Sequence, residues 1–571
     1  MHFLRNWLTP RRTVRRRNSP HLAVELLERR ELPSASPAAA GALISAKDND
    51  SGPIYVATMN DVLYFTSQSD AYGRELWRSD GTSAGTWMVK DINPGKGGSG
   101  IQYLGIVNHE LLFAANDGVH GGQVWETDGT TAGTQMVLDI NGKKGADPDY
   151  FAKVGNTLFF TATTSGAGNE LWKTDGTTAG TMMVLDIKSG KGSSNPAYLA
   201  TIGNEVYFSA NDGLNNRQLW VTDGSAAGTF MVKDISPRDE SAGIHYFASM
   251  NGLLFFTAND DVHGVELWRS DGTDAGTFML KDINPGVANS DPYRLTIDNG
   301  VLYFAANDTI HGVEMWRTDG TTAGTRLVKD INGGDFDSDP AFIAKVGGTI
   351  YFSAWDSNGR QLWKTDGTNT GTVMVKDINP GEDANIRFVA TIGSEVYFTA
   401  NDDVHGQELW KTDGIAAGTK MVKDINYGVA GANLHYFTTL NGVLYFSAND
   451  TIHGQELWRS DGTAAGTYLV ADIRPGDEGS GIQYLGKVAG ELIFTANDGT
   501  DGRQLWVSDG TAAGTVMLTD INPTKGGAKF HYLKFLDGEM VVSAFDGKDG
   551  WILIKTNGTV AGTALVKDIA V

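Results

Sequence analysis

The chain contains no cysteine and only 15 prolines in 571 residues. Disulfides cannot staple it, so burial must hold it together. The lack of cysteine says nothing against an extracellular life; it only withdraws the usual sign of one. No run approaches the eighteen or so apolar residues of a membrane-spanning helix. Positive charge is scarce as well. The formal net charge is -22; residues 1–32 contribute +5, which leaves -27 on the remainder. A body this acidic repels phosphate backbones, so nucleic acid is not an expected partner.

What the chain has in abundance is repetition. The phrase at Glu75 to Thr82 returns, lightly edited, to the C-terminus. Its tryptophan recurs at Trp77, Trp125, Trp172, Trp220, Trp268, Trp316, Trp363, Trp410, Trp458 and Trp506, at intervals of 47 or 48 residues. A degenerate eleventh copy has Ile554 in that slot. A fixed period of this length marks one supersecondary unit that buries its apolar face only by stacking on its neighbours.

One unit shows the physics. Tyr293 to Asp298 reads as a first strand, and Asn299-Gly300 as a type I′ hairpin. Val301 to Ala306 is apolar at every position, which predicts a strand covered on both faces. A loop follows, then a strand over Val313 to Thr318 that carries the tryptophan. A turn rich in residues tolerant of positive φ leads to a last strand over Thr325 to Ile331. Nothing in the unit has helical period. The expectation is an all-β fold: a β-propeller-like array of eleven four-stranded antiparallel units. No linker interrupts the array, which favours a single large ring over two tandem rings or an open superhelix. The array spans residues 54–571, starting at Ile54 to Met59 and ending on a last-position strand, so closure would rest on face packing. The tryptophan is expected to pack blade against blade; a row of exposed, sugar-binding tryptophans is the sharper, less favoured reading.

The copies Glu75 to Thr82, Glu408 to Ile415 and Glu456 to Thr463 resemble the bacterial ELWxxDGT repeat family, and the resemblance covers about residues 52 to 571. It implies a large exported bacterial protein. Gln123, Gln218, Gln361 and Gln504 replace the motif's glutamate, which puts a shared carboxylate role in doubt. Upstream, residues 1–36 form a basic leader and residues 37–53 a small-residue linker. Within the leader, Leu27 to Ala35 resembles the export leaders of planctomycete surface proteins, departing from them at Pro33. No apolar core of a standard secretory signal is present. The expected location is extracellular or at the cell surface.

The loop between the second and third strands is the best place to look for chemistry. It carries Asn116-Asp117 with His120, Asn259-Asp260 with His263, Asn307-Asp308 with His311, Asn401-Asp402 with His405, and Asn449-Asp450 with His453. Such oxygens on a glycine-permitted turn suit calcium, the one cofactor these residues suggest, but the spacing of a calcium loop is missing. The favoured reading is that Asn and Asp cap the turn. Zinc needs three or four converging ligands and each loop supplies one His, so no metal or other cofactor site is assigned. His245, His435 and His531 read as packing or rim residues. The Ser/Thr-Asp-Gly turn (Asp80 and equivalents) lacks the Ser-x-Asp-x-Gly spacing of sialidase propellers. The last strand's Asp91, Asp282, Asp330, Asp377 and Asp424 should tie a turn or pair with a lysine.

Catalysis needs one asymmetric constellation, which an array of near-identical units does not offer. The unusual loops at Ser67 to Tyr72, Thr163 to Asn169 and Trp355 to Arg360 hold no recognisable acid-base pair. The function expected is therefore non-catalytic: an exported, monomeric adhesion or structural module presenting multivalent weak sites to a glycan, matrix or protein partner. The alternative is a carbohydrate-active enzyme with one axial site.

Overall fold

The computed structural model describes residues 52–237, 241–523, 526–548 and 550–569; the leader and all but two residues of the linker lie outside them. It contains eleven separate four-stranded antiparallel sheets, each taking its strands in chain order or its reverse. We number the blades 1 to 11 and letter their strands a to d. In blade 6 these are a, Tyr293–Asp298; b, Val301–Asn307; c, Val313–Thr318; and d, Arg326–Lys329. Asn299 and Gly300 both take positive φ, 47° and 74°, as the type I′ hairpin requires. Strand d is shorter than Thr325 to Ile331 because its last residues leave the ladder to bond a buried side chain, described below. The one helical element among the described residues is a single 3-10 turn at Gly142–Lys144.

Strand b is buried along five consecutive positions in every blade, so both faces are covered. The cores lie between blades. One joins Leu112 and Val124 of blade 2 to Phe160 and Trp172 of blade 3, and another joins Leu219 and Val221 of blade 4 to Phe256 and Trp268 of blade 5. The repeated tryptophans from Trp77 to Trp458 are all buried, which settles them as interblade packing residues.

The array closes. Leu63, Phe65 and Trp77 of blade 1 share a core with Leu536, Val541, Trp551, Leu553, Val566 and Ile569 of blade 11. The molecule is one eleven-bladed propeller, not two rings or a superhelix. Among the described residues no strand is exchanged at the seam, since blades 1 and 11 are complete sheets; face packing joins them, with Lys534 of blade 11 over the Tyr55 ring of blade 1.

The motif's remaining letters build the c–d turn. Asp80 accepts from the amide and hydroxyl of Thr82 (2.9 and 2.7 Å), while Ser79 Oγ meets Thr86 Oγ1 at 2.7 Å and accepts from the Gly81 amide. A Cβ on Gly85 would lie 1.9 Å from the Asp80 carboxylate, so only glycine fits there.

Candidate functional site

Strands that radiate from an axis approach one another most closely at the inner edge. Strands a of neighbouring blades come within 8 Å, and side chains bridge them: Lys153 Nζ donates to the Ile106 carbonyl, Thr201 to that of Lys153, and Lys487 to that of Thr439. Strand a therefore lines the central channel. Eleven such strands enclose this channel, against the four to eight of ordinary propellers.

Every strand a carries a β-bulge where one extra residue opposes strand b, at the second or third residue in blades 1 to 10 and further along the longer strand of blade 11. Bulges re-aim side chains. The residue turned out at the second position is Tyr55, Tyr103, Tyr150, Tyr198, Tyr246, Arg294, Phe342, Phe388 or Tyr436 in blades 1 to 9, and the same register holds Tyr484 and Tyr532. Aromatic residues thus occupy ten of eleven positions. Those of blades 1 to 8 are solvent-facing, from 36% exposed at Tyr103 to 58% at Tyr246, and Tyr436 is half-buried. Tyr150, Tyr198, Tyr246, Arg294 and Tyr436 also hold φ between 41° and 58°. A bulky L-residue there costs about 1–2 kcal/mol relative to ordinary backbone. Strain combined with an exposed aromatic points to a binding surface, since neither is needed for packing. His245 belongs to this wall: its Nδ1 lies 2.8 Å from the Tyr198 hydroxyl. Sequence reading missed the ring. Its signal is the aromatic every 46 to 48 residues at the head of strand a, which stands out only where a histidine precedes it.

The Asn-Asp-x-x-His loops sit at the b–c end. Asp308 Oδ1 accepts the Ile310 and His311 amides (3.0 and 2.7 Å), and Oδ2 meets His311 Nδ1 at 2.7 Å. Asp117, Asp260, Asp402 and Asp450 repeat the pattern. The carboxylates thus cap their own turns. Their hydrogen bond to the imidazole raises the histidine pKa, as at His263. Among the described residues no three His, Asp or Glu side chains converge as a ligand set.

The motif glutamate is fully buried. Glu266 accepts the Ile283 and Asn284 amides (3.1 and 3.2 Å) and the Ser290 hydroxyl (2.6 Å), which is where the end of strand d goes. Burial pushes Glu75, Glu266, Glu314 and Glu456 up to about 7 and Glu408 to about 8. In three of the four glutamine copies Nε2 donates to the aspartate that follows strand d: Gln123 to Asp139, Gln218 to Asp234 and Gln504 to Asp520, each at 3.1 Å. Gln361 donates instead to the Asn358, Asn379 and Glu382 carbonyls, and Asp377 keeps a buried Oδ1 without a partner, as Asp91, Asp186, Asp282, Asp330 and Asp424 do in the glutamate blades. These aspartates also tie turns, as expected: the Gly190 and Gly334 amides donate to Asp186 and Asp330.

Blade 2 breaks one further rule. Blades 8 and 11 pair the first residue of strand b with a lysine on strand c, Glu395 with Lys411 and Glu539 with Lys555, both at 2.9 Å. In blade 2 the corresponding residues are Glu110 and Glu126. Burial and the adjoining Glu126 push Glu110 up to about 7. Glu126→Lys would restore the sister pairing, and we expect it to stabilise the fold by up to about 1 kcal/mol at pH 8 and by less at pH 5, read from melting curves. A loss of stability at pH 8 would show that the acid pair is held by something else. The pair lies on strands b and c, not on the channel wall. The three unusual loops hold no comparable group: Ser67 Oγ is buried without a partner, Asn169 donates to Thr163, and Arg360 stacks on Trp355 at 5.5 Å.

No family model matches the chain, and no curated protein does. Solved structures of puromycin hydrolase match at 14–15% identity with TM-scores of 0.26 and 0.25, over 62% of this chain and 58% of theirs. A structure from work on two prolyl endopeptidases matches at 15% identity and TM-score 0.26, over 63% of this chain and 52% of that one. The chain thus spans a little over half the length of these structures, and the propeller assignment rests on its own eleven sheets.

Proposed function

We propose that the protein is a non-catalytic, exported binding module whose channel wall presents a ring of weak stacking sites to a glycan, free or within an extracellular matrix. The observation that carries this reading is the circle of aromatics on bulged strands, mostly exposed, four of them on strained backbone. An aromatic face suits the apolar face of a sugar ring, and hydroxyls at most positions suit its rim. Repetition adds avidity: each contact is weak, but a chain molecule engaging several at once dissociates slowly. The acidic body favours a mostly neutral ligand over a dense polyanion.

The test is glycan binding by the full-length protein. Replacing three adjacent positions together, Tyr150→Ala, Tyr198→Ala and Tyr246→Ala, should lower affinity at least about tenfold while leaving the melting temperature close to that of the parent. An unchanged affinity, or no binding to any glycan on an array, overturns the proposal. Cleavage of a polysaccharide that disappears in Glu110→Gln would favour an enzyme instead.

A further inference from the structure

Among the described side chains, the ring of eight aromatics is broken at one place. Blade 6 presents Arg294 at the bulge, with φ 54°, the same backbone conformation as Tyr246 at 54° and Tyr436 at 53°. Its guanidinium therefore stands where the other blades hold a ring, and its side chain is 42% exposed.

The arginine is held in position. Nη1 donates to Asp339 Oδ1 at 2.8 Å, to the Asp339 carbonyl at 3.3 Å and to the Pro340 carbonyl at 2.9 Å. The guanidinium lies over the Tyr293 ring at 5.3 Å. All three bonds leave from one nitrogen, and none of the described residues accepts from Nη2, which leaves that edge of the fork without a protein acceptor among them. Asp339 is shared: the same carboxylate accepts the Tyr293 hydroxyl at 2.7 Å and Arg360 Nη2 at 2.5 Å. Asp337 also lies close enough to act on Tyr293, so the two guanidinium groups are balanced by two carboxylates.

A planar, pre-oriented guanidinium edge recognises a carboxylate in two-point fashion. Its neighbours around the ring are Tyr246 and Phe342, 58% and 43% exposed, which offer stacking faces on either side. Building on the proposed glycan reading, we infer that Arg294 is the specificity-determining residue of the ring and selects a mostly neutral glycan that bears an isolated carboxylate, as on a single uronic acid. The acidic body argues for isolation, since it disfavours a ligand charged at every sugar.

The probes are a xylo-oligosaccharide and the same oligosaccharide carrying one glucuronate branch, titrated calorimetrically into the full-length protein. The parent protein should bind the branched form about tenfold more tightly. Arg294→Tyr installs the residue that most other blades carry, so it should fold. It should bind both oligosaccharides equally, with the unbranched affinity retained. Arg294→Lys should keep part of the preference, because a point charge lacks the fork. Equal binding of both probes by the parent, or a preference that survives Arg294→Tyr, overturns the inference and leaves the glycan reading standing. If neither probe nor any neutral glycan binds, both fall together.

Discussion

Replacing Glu408 by glutamine raises the melting temperature at pH 8.5 by several degrees and leaves it almost unchanged at pH 4.5. The reason is a carboxyl group buried where an amide serves better. In the folded chain burial holds Glu408 up to about 8, against an ordinary value of 4.5. Below about pH 4.5 the group is protonated in both states and costs nothing. As the pH rises, the unfolded chain ionises first, so stability falls until the folded group also ionises near pH 8. The penalty then levels off at about 5 kcal/mol, since each pKa unit corresponds to about 1.4 kcal/mol. Glutamine is isosteric, does not titrate, and already occupies the equivalent position as Gln123, Gln218, Gln361 and Gln504. It also supplies a donor for Asp424 Oδ1, which has none. The parent itself should melt higher at pH 5.5 than at pH 8.5, because Glu75, Glu266, Glu314 and Glu456 are raised in the same direction. A parent that melts higher at pH 8.5 contradicts this account. So does a parent stabilised by calcium, with the effect reduced by Glu408→Gln: that would place an ion, not a proton, between the two carboxylates.

The second large effect concerns the seam. Phe65→Ala should cost about 3–5 kcal/mol, the usual range for emptying a buried phenylalanine site. Phe208→Ala, in the core between blades 3 and 4, should cost a similar amount. Their consequences differ. When the interface at Phe208 loosens, the two blades remain joined by the chain, so they stay at high effective concentration. Among the described residues the interface at Phe65 has no direct chain link and no exchanged strand. The same loss there should open the ring, giving a larger radius of gyration in solution scattering and concentration-dependent oligomers as exposed seam faces find each other. Identical scattering from the two variants would show that closure does not depend on that face.

Much of this architecture was readable from residues alone, for definite reasons. The bounds of strand a at Ile54–Met59 and Tyr293–Asp298, and of strand c at Val313–Thr318, follow from apolar runs bracketed by turn residues. The tryptophan's place follows because a large aromatic at a fixed strand position is usually core. The bulges were not readable. Inserting one residue opposite a strand leaves local composition unchanged, so the side chain's new direction appears only with the pairing register. The aromatic ring was hidden for that reason. Strand d reads too long because Asp330 and Ile331 look like a continuation of the ladder, while their neighbourhood in fact serves Glu314 on strand c. Bonds of this kind join residues 17 or 18 positions apart, which no local pattern encodes. The Glu/Gln alternation was visible as letters, and its meaning emerged only when the orphaned aspartate oxygens could be compared between sister blades.

The number of blades has a mechanical consequence. Eleven is prime, so the ring has no two-fold, three-fold or four-fold sub-symmetry. A partner of lower rotational order seated on the axis could never match all its contacts at once. As it turns, some contacts form while others break, as on a vernier scale. The torsional landscape then consists of many shallow wells in place of a few deep ones.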